Sequence, residues 1–294
     1  MTYPVEISGL TKRYAALTAL ADCRLTVERG EVFGLLGPNG AGKSTLIRLL
    51  MGFLRPTSGE ARIEGLDCRH DSLAVRSRVA YLPGDVRLFR TMTGAGVLDF
   101  LSRLHPRGNL QRAIGVARRL DLDLSRRVTA SSSGMRQKVA LAATLAVDAP
   151  VVILDEPTTH LDPTARREVL ALVREAKQAG KTVVFSSHVM SEVEDACDRV
   201  AILRAGHLVH TQAIGSLRRQ HRIRARLSGP LGEVPERVRE HAQVVSADEL
   251  LEVIVSGELC ELLGWLATLP LADLQIEPLG LKAVYDQYHS NGVE

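Results

Sequence analysis

The stretch Gly37-Pro38-Asn39-Gly40-Ala41-Gly42-Lys43-Ser44-Thr45 governs how the rest of the chain is read. It satisfies G-x-x-x-x-G-K-[ST] in the setting that gives the pattern meaning. The apolar run within Glu31–Leu36 precedes it as a strand, and Lys43–Leu50 follows with helical spacing. The glycines let successive backbone N–H groups turn inward around a β-phosphate, and the helix N-terminus adds its partial positive charge. Lys43 reaches the β- and γ-phosphates, and Ser44 offers a hydroxyl to Mg²⁺. A turn that only had to bend needs glycine but not Lys-Ser, so the segment reads as a phosphate-binding loop.

Working outward, Val151–Leu154 is a β-branched run of the kind found in strands buried on both faces of a parallel sheet. It ends in Asp155-Glu156, an acidic pair at the carboxyl end of a strand, where ligands of open α/β sheets bind. Asp155 is placed to hold Mg²⁺ through water, and Glu156 to orient or deprotonate an attacking water. Thr182–Ser187 reads as a second buried strand. Between them Asp162 caps a helix with Pro163 at its first position, and Gly180 stops it. Strand, helix, strand implies a right-handed parallel crossover. Ser191 and Glu194 fit a capping box for a further helix, and short strands are expected over Arg199–Leu203 and His207–His210.

Residues 1–215 therefore read as one α/β domain, interrupted by a helical insertion over about residues 85–150, where Val97–Leu104, Leu110–Leu120 and Met135–Val147 all show helical spacing. Beyond Gly215 come Arg218, Arg219, Arg222, Arg224 and Arg226, read as a solvated linker face. A strand at Leu251–Val255 and a helix at Leu259–Leu266 then suggest a separate small α+β domain over residues 216–294.

Composition agrees with a folded, water-soluble chain: 294 residues, net charge +3, 45% hydrophobic and 24% charged, with mean hydropathy +0.03. Disordered and fibrous classes are excluded. The longest uncharged apolar stretch, Leu262–Ala272, falls short of the roughly 20 residues of a spanning helix. The N-terminus has neither the charged start nor the apolar core of a secretion signal, which implies a cytosolic protein. Cys23, Cys68, Cys197 and Cys260 show no C-x-x-C spacing and read as buried free thiols. A charge of +3 gives no argument for a nucleic-acid partner.

With these markers in order, the chain resembles the ATP-binding subunits of ABC transporters over most of residues 3–210. The resemblance implies a P-loop NTPase core of RecA-like, ABC type. Ser132-Ser133-Gly134-Met135, ahead of Arg136-Gln137-Lys138, stands at the family's signature, which caps the γ-phosphate bound by the opposite subunit. Leu161-Asp162-Pro163 resembles the D-loop at the dimer interface. His188 resembles the switch histidine that contacts the γ-phosphate, and Tyr14 the aromatic residue that stacks on adenine. The implied catalytic set is Lys43, Glu156 and His188, with ATP as substrate and Mg²⁺ held by Ser44 and Asp155. The implied partners are a second ATPase subunit, identical or related, in the ATP state, and an integral-membrane permease. That places the chain peripherally on the cytoplasmic face of the membrane.

The sequence departs from the family at three places. Gly84-Asp85 replaces the usual glutamine after Tyr81-Leu82-Pro83, leaving Asp85 as a candidate Mg²⁺ ligand through water. His160 stands where a glycine is common, and Ser133-Gly134-Met135 replaces Gly-Gly-Gln. The short signature, the Leu-Pro-Gly-Asp loop and the C-terminal extension resemble the ATPases of ABC-2-type exporters, including drug and antibiotic resistance systems, with Asp85–Phe100 as the expected permease-docking segment. The alternative is a soluble ABC ATPase or an ATP-binding regulatory protein without a membrane partner. Single-cassette organisation and the absence of a heptad run or a cysteine cluster argue against the ribosome- or nucleic-acid-directed form.

Overall fold

The computed structural model describes residues 2–217, 220–232, 234–256 and 259–290. The chain divides into two compact units, residues 1–211 and 212–294. The first opens with β1 (Val5–Tyr14), β2 (Leu17–Val27), β3 (Val32–Leu36), α1 (Lys43–Leu50), β4 (Ser58–Ile63), β5 (Leu66–Asp67), α2 (Ser72–Arg76) and β6 (Val79–Leu82). It continues through α3 (Gly94–Leu104), α4 (Leu110–Arg119), α5 (Ser133–Leu145), β7 (Val151–Asp155), α6 (Pro163–Gln178), β8 (Thr182–Ser187), α7 (Met190–Ala196), β9 (Arg199–Arg204) and β10 (His207–Ala213).

A six-stranded sheet in the order β10-β9-β3-β8-β7-β6 carries the buried strands. β3, β6, β7, β8 and β9 pair in parallel, and every residue of β3, β7 and β8 is buried. Their unbroken apolar and small-residue character follows from having both faces covered. A second sheet, β2-β1-β4-β5, is antiparallel. It buries Val5, Ile7, Leu10 and Leu20 in the same cluster as Phe33, Leu35, Ile153 and Val184 of the first sheet, with Leu46, Ile47 and Leu50 of α1 also in that cluster. Each such aliphatic side chain contributes about 1.5–3 kcal/mol by burial, so α1, and with it the loop at its N-terminus, is fixed by its own apolar face.

The insertion has its own core: Val97 and Leu98 of α3, Ala113 and Ala117 of α4, and Val139 and Ala142 of α5 form one cluster, against which Leu88 and Met92 pack. Small alanines where α4 meets its neighbours allow close helix approach. Arg119 of α4 reaches out of the insertion to Glu168 and Glu175 of α6.

The second unit contains α8 (Ile214–Leu217), β11 (Gln220–Leu227), α9 (Glu236–His241), β12 (Ala242–Ala247), β13 (Leu250–Ser256), α10 (Cys260–Leu266), β14 (Leu271–Pro278) and α11 (Leu281–Ser290). Its sheet order β12-β13-β11-β14 is antiparallel throughout. Strand, helix, two strands, helix and strand in this order form a split β-α-β arrangement. Ile223, Ala225 and Leu227 of β11 alternate into a core with Val253, Leu262 and Trp265.

Three expectations are corrected. Arg222, Arg224 and Arg226 are not a linker: they form the other face of β11, a central strand, where Arg222 and Arg224 pair with Glu252. Arg218 and Arg219 lie outside the described residues. No capping box forms at Ser191, because α7 begins at Met190 with Val189 in the cap position and no side-chain cap bond. The Ser187 hydroxyl accepts the Val189 N–H instead. Cys23, Cys68 and Cys197 are buried as expected, but Cys260 is exposed.

Candidate functional site

The loop between β3 and α1 is shaped by its glycines. Gly40 and Gly42 have φ of +82° and +107°, conformations that disfavour any side chain. A Cβ on Gly42 would lie 2.8 Å from the Ala19 carbonyl, and one on Gly37 would lie 2.4 Å from the carbonyl of Leu203. Gly42 also occupies the cap position of α1 without a side-chain cap bond, leaving the first-turn N–H groups to an external acceptor. Residues 38–45 line an open cavity of about 570 Å³ together with Tyr14, Arg48 and Glu156. Tyr14, at the end of β1, is partly exposed there, with the Lys12 ammonium 4.8 Å from its ring centre.

Lys43 is 5% exposed. Its Nζ donates to the carbonyl of Gly37 at 2.5 Å and lies 3.1 Å from Glu156 Oε1. The other carboxylate oxygen of Glu156 lies 2.7 Å from His188 Nδ1. Glu156 therefore stands between the loop lysine and the histidine, its backbone turned out of the line of β7 at φ +49°. Buried Ser186 holds that turn: its Oγ accepts the Glu156 N–H at 2.9 Å and donates to Asp155 Oδ1 at 2.6 Å.

Asp155 is 2% exposed. With one oxygen fixed by Ser186, the other borders the space a side chain at position 84 would fill, 3.2 Å from the ideal Cβ of Gly84. Ser44 lines the cavity, and its hydroxyl and the Asp155 carboxylate are both oxygen donors of the kind Mg²⁺ takes. Asp85, the candidate ligand through water, has a partner of its own. Its carboxylate pairs with Arg87 at 2.8 Å and stays largely exposed; Asp85, Asp155 and His188 are all absent from the residues lining the cavity. A guanidinium two residues away and facing solvent is the nearer partner.

Ser132 caps α5, its Oγ accepting the Met135 N–H at 3.2 Å. The start of that helix packs against the turn carrying His160, where a Cβ on Gly134 would come within 2.6 Å of the His160 carbonyl. His160 itself has φ +64°, which explains the glycine common there in the family. Asp162 caps α6 by accepting from the Ala165 N–H at 2.9 Å and pairs with Lys138 at 3.3 Å. These two contacts hold its carboxyl below the usual aspartate range, the amide bond most strongly. Ser132, Ser133, Gly134, Met135, Leu161 and Asp162 are thus gathered near one another, but none lines the phosphate-loop cavity.

Two residues to which the sequence motifs assign no role brace the site. One is Ser186. The other is Gln137, whose buried amide donates to the carbonyl of Pro157 at 3.1 Å and so ties α5 to the segment after Glu156. A glutamine on the apolar side of a helix was the available signal.

Residues 20–159 match the ABC transporter family. The ABC transporter ATP-binding protein NatA of Bacillus subtilis is 38% identical over 208 residues, covering 68% of this chain and 83% of that protein. The daunorubicin resistance ATP-binding protein DrrA3 of Streptomyces coeruleorubidus is 34% identical over 289 residues, 95% of this chain and 92% of that one. A solved structure of the ATP-binding subunit of an ABC transporter superposes with a TM-score of 0.68 at 30% identity, covering 74% of this chain and 92% of its own. The phosphate loop, the acidic strand end and these likenesses define an ABC-type ATPase: the chain belongs to the family of ABC transporter ATP-binding proteins. Among the described residues, no helix is long and apolar enough to cross a membrane.

Proposed function

We propose that the chain hydrolyses ATP at this site as the cytoplasmic ATPase subunit of an ABC-2-type exporter, working as a dimer against a separate membrane permease. The observation that carries the catalytic part is Glu156, held at 3.1 Å from Lys43 and 2.7 Å from His188 at the mouth of the phosphate loop. A carboxylate there accepts the proton of an attacking water, and His188 steadies that carboxylate and contacts the γ-phosphate. Lys43 and the α1 amides offset charge on the phosphates, and Tyr14 offers its ring to adenine. Ser44 and Asp155 would hold Mg²⁺, which would supply charge neutralisation at the phosphate oxygens.

Dimer formation is argued from the incomplete cavity. Ser132–Met135 lie off the phosphate loop of their own chain, so a second subunit is needed to bring a signature to the nucleotide. The exporter reading rests on the relative named for daunorubicin resistance, whose likeness runs through 95% of this chain, including the second unit. The cargo class proposed is a drug, antibiotic or lipid-like molecule. The permease-docking surface proposed is Asp85–Phe100, where Phe89 is 53% exposed and meets Phe100 edge-on at 5.0 Å. Residues 212–294 are proposed as an accessory domain that supports the dimer.

The test compares the purified chain with Glu156→Gln, alone and with its permease. The expected result is a fall in kcat of about 10²–10⁴, with light scattering showing a doubled mass for the variant in ATP and Mg²⁺. Stimulation of the wild type by the permease supports the exporter reading. A Glu156→Gln rate within about twofold of wild type would overturn the catalytic assignment.

A further inference from the structure

A buried carboxylate lies behind the site and belongs to none of the elements described as touching nucleotide. Glu192, on α7, is 5% exposed. Its Oε2 accepts two hydroxyls, Thr158 Oγ1 at 2.7 Å and Ser187 Oγ at 2.9 Å. Its Oε1 is buried and has no hydrogen-bond partner. Thr158 stands two residues after Glu156, and Ser187 immediately precedes His188. The same Ser187 hydroxyl accepts the Val189 N–H at 3.0 Å, closing the turn that follows β8. One oxygen atom is therefore the junction of the two segments whose catalytic groups meet 2.7 Å apart.

Burying a carboxylate with one oxygen unpartnered is costly, and an apolar side chain of similar volume is often at least as stabilising at such a place. A two-hydroxyl junction offers something different, a fixed distance between two loops. Hydrogen bonds to a carboxylate are short and strong, and their geometry is narrow. The segment from Thr158 also runs on through Leu161, whose N–H donates to the Thr158 carbonyl at 3.2 Å, to Asp162. A displacement of the 158–162 turn thus passes through Glu192 to the end of β8.

We propose that Glu192 is a positioning residue: by receiving Thr158 and Ser187 on one oxygen it fixes the Glu156–His188 geometry and links it to the turn carrying Asp162. The inference rests on the proposed roles of Glu156 and His188. It requires the acceptor oxygen, so glutamine serves in its place and alanine does not.

The experiment measures kcat, KM, nucleotide affinity and thermal stability of the full chain carrying Thr158→Val, Glu192→Gln or Glu192→Ala, with Glu156→Gln in parallel. Thr158→Val removes one donor and keeps the shape. It is expected to lower kcat about tenfold with KM within about twofold, the mark of an interaction acting on the chemical step and not on binding. Glu192→Ala is expected to lose at least as much, and Glu192→Gln to stay within about threefold of wild type. If Thr158→Val and Glu192→Ala both keep kcat within about twofold, the inference is overturned. It is equally overturned if kcat, nucleotide affinity and thermal stability fall together in both, because that is the pattern of a purely structural residue. Glu156→Gln separates the two layers. If it retains activity, the reading of the site fails. If it loses activity while the Thr158 and Glu192 variants keep theirs, only the positioning inference fails.

Discussion

Replacing Ser186 by alanine removes a single oxygen and tests how the acidic strand end is held. Ser186 is fully buried between β3 and β7. Its Oγ makes two hydrogen bonds, one to the Asp155 carboxylate at 2.6 Å and one from the Glu156 amide at 2.9 Å. A hydrogen bond to a charged group contributes about 1.5–3 kcal/mol, and leaving a buried amide unpaired costs about 1–3 kcal/mol. The combined loss is about 3 kcal/mol, since the two share one hydroxyl and do not add fully. For a unit of this size each kcal/mol shifts Tm by roughly 2–4 °C, so a drop of about 6–12 °C is expected by calorimetry. ATPase activity should fall as well, because the φ +49° turn at Glu156 loses the bond that anchors it. A Tm within about 2 °C of wild type together with unchanged activity would refute the reasoning.

Two other expectations follow from contacts away from the cavity. Arg119 bridges the insertion to α6 through Glu175 and Glu168, and its guanidinium holds the Glu175 carboxyl below the ordinary glutamate range. This stabilisation is present above the ordinary glutamate pKa and is lost as pH falls through the lowered value. Discounted for exposure it amounts to about 1 kcal/mol, and Arg119→Met should remove it at neutral pH and flatten the acid limb in chemical denaturation. Burial pushes the thiols of Cys23 and Cys68 up to about 11 and about 12, and that of Cys197 further still. Only exposed Cys260 should react quickly with a thiol reagent, and Cys260→Ser should abolish the fast phase.

Much of the fold was legible because buried parallel strands announce themselves. β3, β7 and β8 are built round short runs of Val, Ile, Leu and Phe, and the glycines between β3 and α1 with Lys43 at the helix start permit one reading. The antiparallel sheet was not visible. β1 and β2 carry register shifts at Leu10 and Lys12, which break the two-residue alternation that marks a half-buried strand. Arg222, Arg224 and Arg226 looked like a charge cluster because their apolar alternates, Ile223 and Ala225, are small in number, yet that alternation is a strand with one wet face. Within the site, Lys43, Asp155, Glu156 and His188 are carried by local motifs. Ser186 and Glu192 make their contacts across strands and helices, and no spacing in the sequence encodes those; Gln137 shows only as a polar residue at a buried helix position. The missed cap at Ser191 has the same origin, since Ser187 takes up the Val189 amide from before the helix begins.

The sheet order explains why the site needs these residue types. β8 lies between β3 and β7, and neighbouring strands are about 4.8 Å apart. Side chains at adjacent strand ends therefore meet directly, as His188 and Glu156 do at 2.7 Å. Lys43 opens α1 beyond β3, and Glu156 follows β7, two strand positions away, roughly 10 Å by that spacing; a long side chain closes the gap to 3.1 Å. Arginine has the length, but its planar fork would not leave a single ammonium shared between the Gly37 carbonyl and a carboxylate. The residues of α5 are placed by another constraint. Gly134 is pressed against the carbonyl of His160, on the far end of the turn that leaves Glu156. Any movement of that helix start is therefore felt by the turn, and through Thr158 by the segment following Glu156, the proposed catalytic carboxylate. A nucleotide bridging the loop of one subunit and the signature of another would pull on both ends of this connection at once, which gives the proposed dimer a mechanical route to its own chemistry.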